Sequence, residues 1–150
     1  MAETMISISS VNRIRTLLKD KAQKILKNYP VLFSYLYGSY ARGDAHPFSD
    51  IDIGIYLEDV PAQKVLDIEL SLALDIDEAL GHIGNVDVRS MTDMPLMMKG
   101  NIVTEGILIY SIDEPSRVEF EINIRKAFFD FSPVIKRYHK AYLARISHGA

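Results

Sequence analysis

The hydrophobic pattern of the chain is strongest between residues 31 and 57. Residues 31–37, Val-Leu-Phe-Ser-Tyr-Leu-Tyr, form an apolar run rich in β-branched and aromatic side chains, which is typical of a buried strand. In residues 50–57 isoleucine occupies alternate positions, and Asp50 and Asp52 lie between. Successive strand side chains point to opposite faces of a sheet. We therefore expect the isoleucines to face a core and both aspartates to share the other face.

The rest of the pattern predicts helices and further strands in alternation. In chain order the predicted elements are a helix over 9–28, strands over 31–37 and 50–57, a helix over 61–80, a strand over 85–90, a short helix over 94–105, a strand over 107–110 and a long C-terminal helix opened by residues 113–115. This order predicts one α/β (α+β) domain over residues 1–150, with a small mixed β-sheet flanked by helices.

Two groups of apolar residues outside the strands have a predicted place. For the helix over 61–80 we expect Leu66, Leu70, Ala73, Leu74 and Ile76 to be the apolar members. Four methionines follow, for which we expect core-filling or interface positions; they are Met91, Met94, Met97 and Met98.

Composition and charge exclude several classes of protein. The 150 residues are 48% hydrophobic and 25% charged, close to ordinary globular values. Cysteine is absent, which excludes disulfides and thiolate metal sites and fits a reducing compartment. No apolar run approaches the roughly 20 residues of a membrane span, and the N-terminus lacks the pattern of a signal peptide. We expect a soluble, cytoplasmic protein.

The charge is unevenly distributed along the chain. The formal net charge is −3, yet residues 58–93 contain nine acids against Lys64 and Arg89, while both ends of the chain are basic. No basic surface extends over the whole chain, so direct binding of long nucleic acid is not expected.

The residues between the first two strands suggest a phosphate-binding turn. Gly38-Ser39 follows the first strand, and glycine allows a sharp turn and a close approach to a ligand. The amides of Ser39 and Tyr40 and the serine hydroxyl can then bind anionic oxygens. Arg42 carries a guanidinium that matches a phosphate.

Three aspartates suggest a metal site beside this turn. Asp50 and Asp52 on one strand face repel each other unless a cation lies between them, and Mg²⁺ prefers carboxylates and substrate phosphates. Asp87 lies on the polar face of the strand over 85–90, where it can complete the site and activate an acceptor hydroxyl. A phosphate loop beside metal-binding carboxylates is what phosphoryl or nucleotidyl transfer requires.

The motif formed by these residues resembles that of a known superfamily. Gly38-Ser39, ten residues and then Asp50-Ile51-Asp52 is similar to the signature of polymerase-β-like nucleotidyltransferases. Its flanks agree as well: an apolar strand before it, Ala41-Arg42-Gly43 within it, Ser49 ahead of the first aspartate, and a later strand with Asp87. The resemblance implies the fold of that superfamily with a long C-terminal helix.

The short chain most resembles the minimal nucleotidyltransferases (MNT) that act as antitoxins in type VII HEPN–MNT toxin–antitoxin pairs. The resemblance implies Mg²⁺-dependent transfer of AMP from ATP to a tyrosine hydroxyl of the cognate HEPN ribonuclease toxin, and a hetero-oligomer with that toxin. By the same resemblance, the nucleotide is bound by Gly38, Ser39, Arg42 and Ser49. The catalytic and metal-binding residues are Asp50, Asp52 and Asp87, with two Mg²⁺ ions.

Several alternatives stay open at this point. The acceptor can instead be a small hydroxylated molecule, as in antibiotic-modifying relatives, or the antitoxin can neutralise its toxin by binding alone. Arg42 can pair with Asp44 across the loop, in a surface contact worth little. Asp87 can be an exposed strand residue, and Arg89 can serve either pairing or substrate contact.

Overall fold

The structure, a computed structural model, describes residues 8–46 and 49–148, with side chains except at residues 8–10, 131–136, 138–139, 142–143 and 146–148. Its strands are β1 (Val31–Tyr37), β2 (Ile51–Leu57), β3 (Val86–Ser90) and β4 (Ile107–Ser111). Its helices are α1 (Ile8–Leu26), α2 (Ser39–Arg42), α3 (Ala62–Ala79), α4 (Leu96–Glu105) and α5 (Glu114–His148), and a 3₁₀ turn covers Met91–Asp93. Each predicted helix and strand is present; β1 has the predicted bounds, and the ends of the other elements differ from the prediction by at most two residues. Within the described ranges, no helix combines the length and the apolarity needed to cross a bilayer.

The four strands form one mixed sheet in the order β3-β2-β1-β4. β1 runs antiparallel to both β2 and β4, and residues 38–50, which include α2, join the end of β1 to the start of β2. β3 runs parallel to β2, because α3 carries the chain back to the start of the sheet. The mixed sheet that the sequence predicts is confirmed, and β3 is an edge strand.

One face of the sheet packs against α1 and α3. Ile51, Ile53 and Ile55 of β2 are each fully buried in this layer, as the alternation predicts. α1 contributes residues at helical spacing, namely Val11, Ile14, Leu18, Ala22 and Leu26. Fully burying one such aliphatic side chain stabilises the fold by about 1.5–3 kcal/mol.

The other face packs against α4 and α5. Phe33 of β1 stacks on Tyr56 of β2 at a centroid distance of 4.6 Å, and Phe120 of α5 lies 5.4 Å from Phe33. The Tyr35 hydroxyl donates a hydrogen bond to Glu121 of α5. These contacts hold the first part of α5 against the sheet. They do not involve the start of β2, where polar residues lie on this face.

The apolar residues of α3 divide between two surfaces. Leu72 and Ile76 are buried under the sheet, whereas Leu66, Leu70 and Leu74 are 61%, 56% and 70% exposed. Because residues four apart share one side of a helix, these three leucines form a separate outward row. The methionines also differ, since Met91 and Met94 are buried and Met97 is exposed.

Candidate active site

The predicted site residues meet where β1 ends and where β2 and β3 begin. Asp52 of β2 is the register partner of Tyr37, the last residue of β1. On its other side Asp52 is the register partner of Asp87 in β3. Residues directly opposite each other on neighbouring strands point to the same face of the sheet. Sheet pairing therefore brings Asp52 and Asp87 together beside the Gly38 turn.

Gly38 lies in close contact with the carboxylate of Asp52. Its φ of 74° is in the left-handed region that glycine adopts at little cost. A Cβ atom at this position would lie 2.4 Å from Oδ2 of Asp52, well inside van der Waals contact. The glycine thus allows the backbone to turn directly against the Asp52 carboxylate.

The turn continues into a single turn of helix, α2, which ends at Gly43. The Gly43 amide donates to the Ser39 carbonyl at 2.8 Å. The first amides of a helix, here at Ser39 and Tyr40, have no acceptor within the helix and suit anionic oxygens, as the sequence predicts. The Tyr40 side chain is buried in the core below, so the loop is anchored to the rigid part of the domain.

Arg15 of α1 holds this loop from outside the motif. Its Nε donates to the Tyr40 carbonyl and its Nη2 to the Ala41 carbonyl, both at 2.8 Å. The two-pronged contact matches the rigid fork of a guanidinium and fixes two successive peptide groups. Sequence reasoning missed Arg15, since no local pattern distinguishes it from the other basic residues of α1.

Burial, together with the neighbouring carboxylates, raises the pKa of Asp52. Burial and the negative charges of Asp87 and Asp50 raise it from 3.8 to about 6, against the opposing effect of Arg89 and Arg42. The local negative charge is therefore only partly neutralised by the protein itself.

Asp50 and Asp87 each make a polar contact with a further side chain. Asp50 lies just before β2, is exposed, and accepts a hydrogen bond from Asn85 Nδ2 at 3.2 Å. Asp87 pairs with Arg89, whose Nε lies 3.1 Å from Oδ2. The structure thus gives Arg89 the pairing role that the sequence left open.

Tyr37 is a further residue of the site that sequence reasoning missed. Its ring is half-buried, and a Cβ at Gly54 would lie 3.6 Å from its Cε1 atom. Burial and the charges of Asp52 and Asp87 raise its pKa to about 12, so the hydroxyl stays protonated. The apolar run that predicted β1 includes Tyr37, but its proximity to the aspartates depends on strand register.

Two residues that are predicted to bind the nucleotide, Arg42 and Ser49, make contacts within the loop. Arg42 Nε lies 3.3 Å from Asp44 Oδ2, with both side chains exposed, so this contact stabilises little. The Ser49 hydroxyl accepts a hydrogen bond from the His46 amide at 2.9 Å, and the Ser49 amide donates back to the His46 carbonyl. The assignment of Arg42 and Ser49 to a nucleotide stays a prediction.

The carboxylates of the site suit Mg²⁺ in one particular mode of binding. Within the described residues, no three His, Cys, Asp or Glu side chains lie close enough together to enclose an ion by themselves. Mg²⁺ usually binds one or two carboxylates and fills its remaining positions with water and substrate phosphates. The residues fit that mode, because Asp52 and Asp87 are register partners on neighbouring strands and point to the same face of the sheet.

Residues 20–115 match the sequence model of the family described as "Polymerase beta, Nucleotidyltransferase". The chain belongs to this family. The match covers the Gly38 turn and all three aspartates, and it leaves out Arg15. Both the predicted resemblance and the predicted fold class are confirmed.

Individual relatives extend this comparison. A protein of Methanocaldococcus jannaschii named "Putative protein adenylyltransferase MJ0141" is 35% identical over 74 residues, which are 47% of this chain and 66% of that protein. The match thus spans just under two thirds of that relative's length.

Solved structures with a similar fold come from toxin–antitoxin complexes. A chain of a toxin–antitoxin crystal structure with AMP-PNP superposes with a TM-score of 0.62 at 21% identity, covering 81% of this chain and 98% of that one. A chain from the complex of tri-AMPylated Shewanella oneidensis HEPN toxin with its MNT antitoxin gives a TM-score of 0.58 at 19% identity, covering 83% and 98%. At such identities the likeness establishes the fold.

Proposed function

We propose that this protein is a Mg²⁺-dependent protein adenylyltransferase and the antitoxin of a HEPN–MNT pair. It transfers AMP from ATP to a tyrosine hydroxyl of the cognate HEPN-type toxin. The observation that carries the proposal is the register pairing of Asp52 with Asp87 beside the Gly38 turn. This pairing puts a carboxylate cluster next to backbone amides suited to phosphate.

The names of similar proteins support the same reaction. The relative from M. jannaschii is named for protein adenylyl transfer. Of the two toxin–antitoxin structures, one contains an ATP analogue and the other a toxin that has been AMPylated. For this chain we therefore propose ATP as the AMP donor and a HEPN-type toxin as the acceptor.

The residues of the loop bind and orient the triphosphate in this reaction. The amides of Ser39 and Tyr40 and the Arg42 side chain meet its oxygens, and Arg15 keeps the peptide groups in place. A loop that is already ordered loses little entropy when the nucleotide binds. Asp50, Asp52 and Asp87 would hold Mg²⁺ together with water and the phosphates themselves, and the ion would offset negative charge on the phosphates.

The chemical step is an in-line displacement at the α-phosphorus. The acceptor oxygen forms a bond to the α-phosphorus, the bond from that phosphorus to the bridging oxygen breaks, and pyrophosphate leaves with that oxygen. Asp87 takes the proton of the acceptor hydroxyl as general base. Arg89 stays paired with Asp87 and keeps its carboxylate oriented.

The test is label transfer to the purified toxin. ATP labelled at the α-phosphate should label the toxin in the presence of Mg²⁺, while ATP labelled at the γ-phosphate should not. The double variant Asp50→Asn/Asp52→Asn should lose transfer by at least about a thousandfold, since such sites act mainly through electrostatics. Asp59→Asn, at an exposed aspartate outside the site, is the matched control.

Two results would contradict the proposal. Label that remains on the toxin with the double variant would exclude the carboxylates from catalysis. Full neutralisation of the toxin in cells by the double variant would favour an antitoxin that acts by binding alone. Mass spectrometry of the toxin locates the modified residue and counts the AMP groups.

A further inference from the structure

A row of exposed leucines lies on α3, and the proposed reaction does not use it. Leu66, Leu70 and Leu74 are all more than half exposed and share one side of the helix because they are spaced by four residues. Single exposed leucines are common on protein surfaces, whereas a contiguous apolar patch marks an interaction site. We call these three residues the leucine row.

Two residues of the leucine row, Leu66 and Leu70, line a groove that also reaches Asp87 of the candidate active site. This groove, of about 480 Å³, separates α3 from the edge strand β3 and the segment after it. The residues that define its two sides and its ends include Leu66, Leu70, Met94, Met98, Asp87 and Arg89. A polypeptide lying in this groove therefore has apolar contacts along its length and passes the proposed general base.

The groove is also negatively charged. Its lining includes Glu69, Asp87 and Asp93 against one base, Arg89, and Arg89 is already paired with Asp87. Asp67 is exposed between two leucines of the row. Complementary charge favours a partner with basic residues at the edges of its contact, and the same acids repel a nucleic acid.

We infer that the leucine row and the groove form the docking surface for the protein that carries the acceptor hydroxyl. The docked element is an amphipathic segment with apolar side chains against the leucine row and Lys or Arg at its flanks. Its acceptor hydroxyl lies at the Asp87 end of the groove. This inference rests on the proposed function, because it assigns the acceptor protein to a surface of the same site.

The experiment compares two pairs of substitutions with the same spacing. Leu66→Glu/Leu70→Glu adds two charges to the leucine row. Val118→Glu/Ile122→Glu does the same on α5, where these residues are 43% and 57% exposed. Binding to the purified cognate HEPN-type toxin is measured without ATP or Mg²⁺, so that docking is separated from catalysis.

The leucine pair should weaken toxin binding by at least about a hundredfold, because it removes two apolar contacts and also buries two charges in the interface. The α5 pair should change the Kd by less than about threefold. Both pairs should bind AMP-PNP with Mg²⁺ as the wild type does, because neither alters the nucleotide loop. If circular dichroism shows that the glutamate pair is unfolded, Leu66→Ser/Leu70→Ser replaces it, with an expected loss of at least about tenfold.

Each contrary outcome has a distinct meaning. Unchanged toxin binding by the folded leucine pair overturns the docking surface, and label transfer by the wild type then leaves the proposed function standing. No label transfer by the wild type overturns both. If the isolated wild type forms a dimer in sedimentation and the leucine pair makes it monomeric, the surface joins two copies of this chain and the inference is wrong.

Discussion

Replacing Asp52 by asparagine should stabilise the metal-free protein above pH 6. The pKa of Asp52 is raised from 3.8 to about 6 in the folded state, first by burial and then by Asp87 and Asp50. Between these two values the folded protein holds a proton that the unfolded chain has lost, so stability falls as the pH rises through this window. Above pH 6 the whole penalty is present, and below about pH 4 it is absent.

The size of the effect follows from the shift in pKa. About two units correspond to about 3 kcal/mol at 1.36 kcal/mol per unit, and we take about half of that because solvent screens a half-buried carboxylate. Asparagine keeps the shape and removes the charge. We therefore expect Asp52→Asn to gain about 1.5 kcal/mol at pH 8, which is a rise in Tm of about 3–6 °C for a domain of this size.

Thermal unfolding is followed by circular dichroism in EDTA at low salt, from pH 4 to pH 8. The quantity compared at each pH is the difference in Tm between the variant and the wild type. The difference should be near zero at pH 4 and should reach its full value above pH 6. Asp59→Asn, at an exposed position, should show a flat difference over the same range. A variant that is no more stable than the wild type at pH 8 would refute the inferred cost of burying the Asp52 carboxylate beside two other negative charges.

Three further predictions follow from the contacts of the site and the core. Gly38→Ala should abolish AMP-PNP binding in calorimetry, because its Cβ would lie 2.4 Å from Asp52 Oδ2; Gly81→Ala has the same sign of φ with no atom within 4 Å and should bind normally. Arg15→Met should raise the KM for ATP about tenfold with a smaller change in kcat, through loss of its two hydrogen bonds. Arg15→Lys should restore only part of this loss, because a lysine lacks the guanidinium fork, and an unchanged KM in the Met variant would exclude the positioning role. Ile53→Ala, at a fully buried position, should cost about 2–5 kcal/mol in urea unfolding.

The candidate site was predictable from the sequence to different degrees for its different residues. Gly38, Ser39, Asp50 and Asp52 lie within one short motif, whose strand–turn–strand context is a property of neighbouring residues. Asp87 was assigned from its strand alternation, and the parallel pairing of β2 with β3 confirms that it lies opposite Asp52. Arg15 and Tyr37 were missed because their roles depend on packing between segments that no local pattern connects.

The helix α3 shows the same difference between what the sequence predicts and what the tertiary structure decides. The predicted apolar members include Ile76 and the three exposed leucines but omit the buried Leu72, because the apolar residues of this helix satisfy helical spacing on two sides at once. Which side is buried depends on how α3 crosses the sheet, and the structure buries Leu72 and Ile76 while exposing Leu66, Leu70 and Leu74. The exposure of the leucine row, on which the inferred docking surface depends, is therefore a property of the tertiary structure.

The sequence by itself determined the order of helices and strands, the buried side of β2 and the residues of the nucleotidyltransferase motif. These features follow from backbone sterics and side-chain periodicity, which act over a few neighbouring residues. Tertiary structure alone decided the register between Asp52 and Asp87 and the raised pKa of Asp52. It also decided the hydrogen bonds from Arg15 to the loop and the exposure of the leucine row on α3. Each of these depends on distance and desolvation between segments far apart in the chain, which the order of residues does not specify.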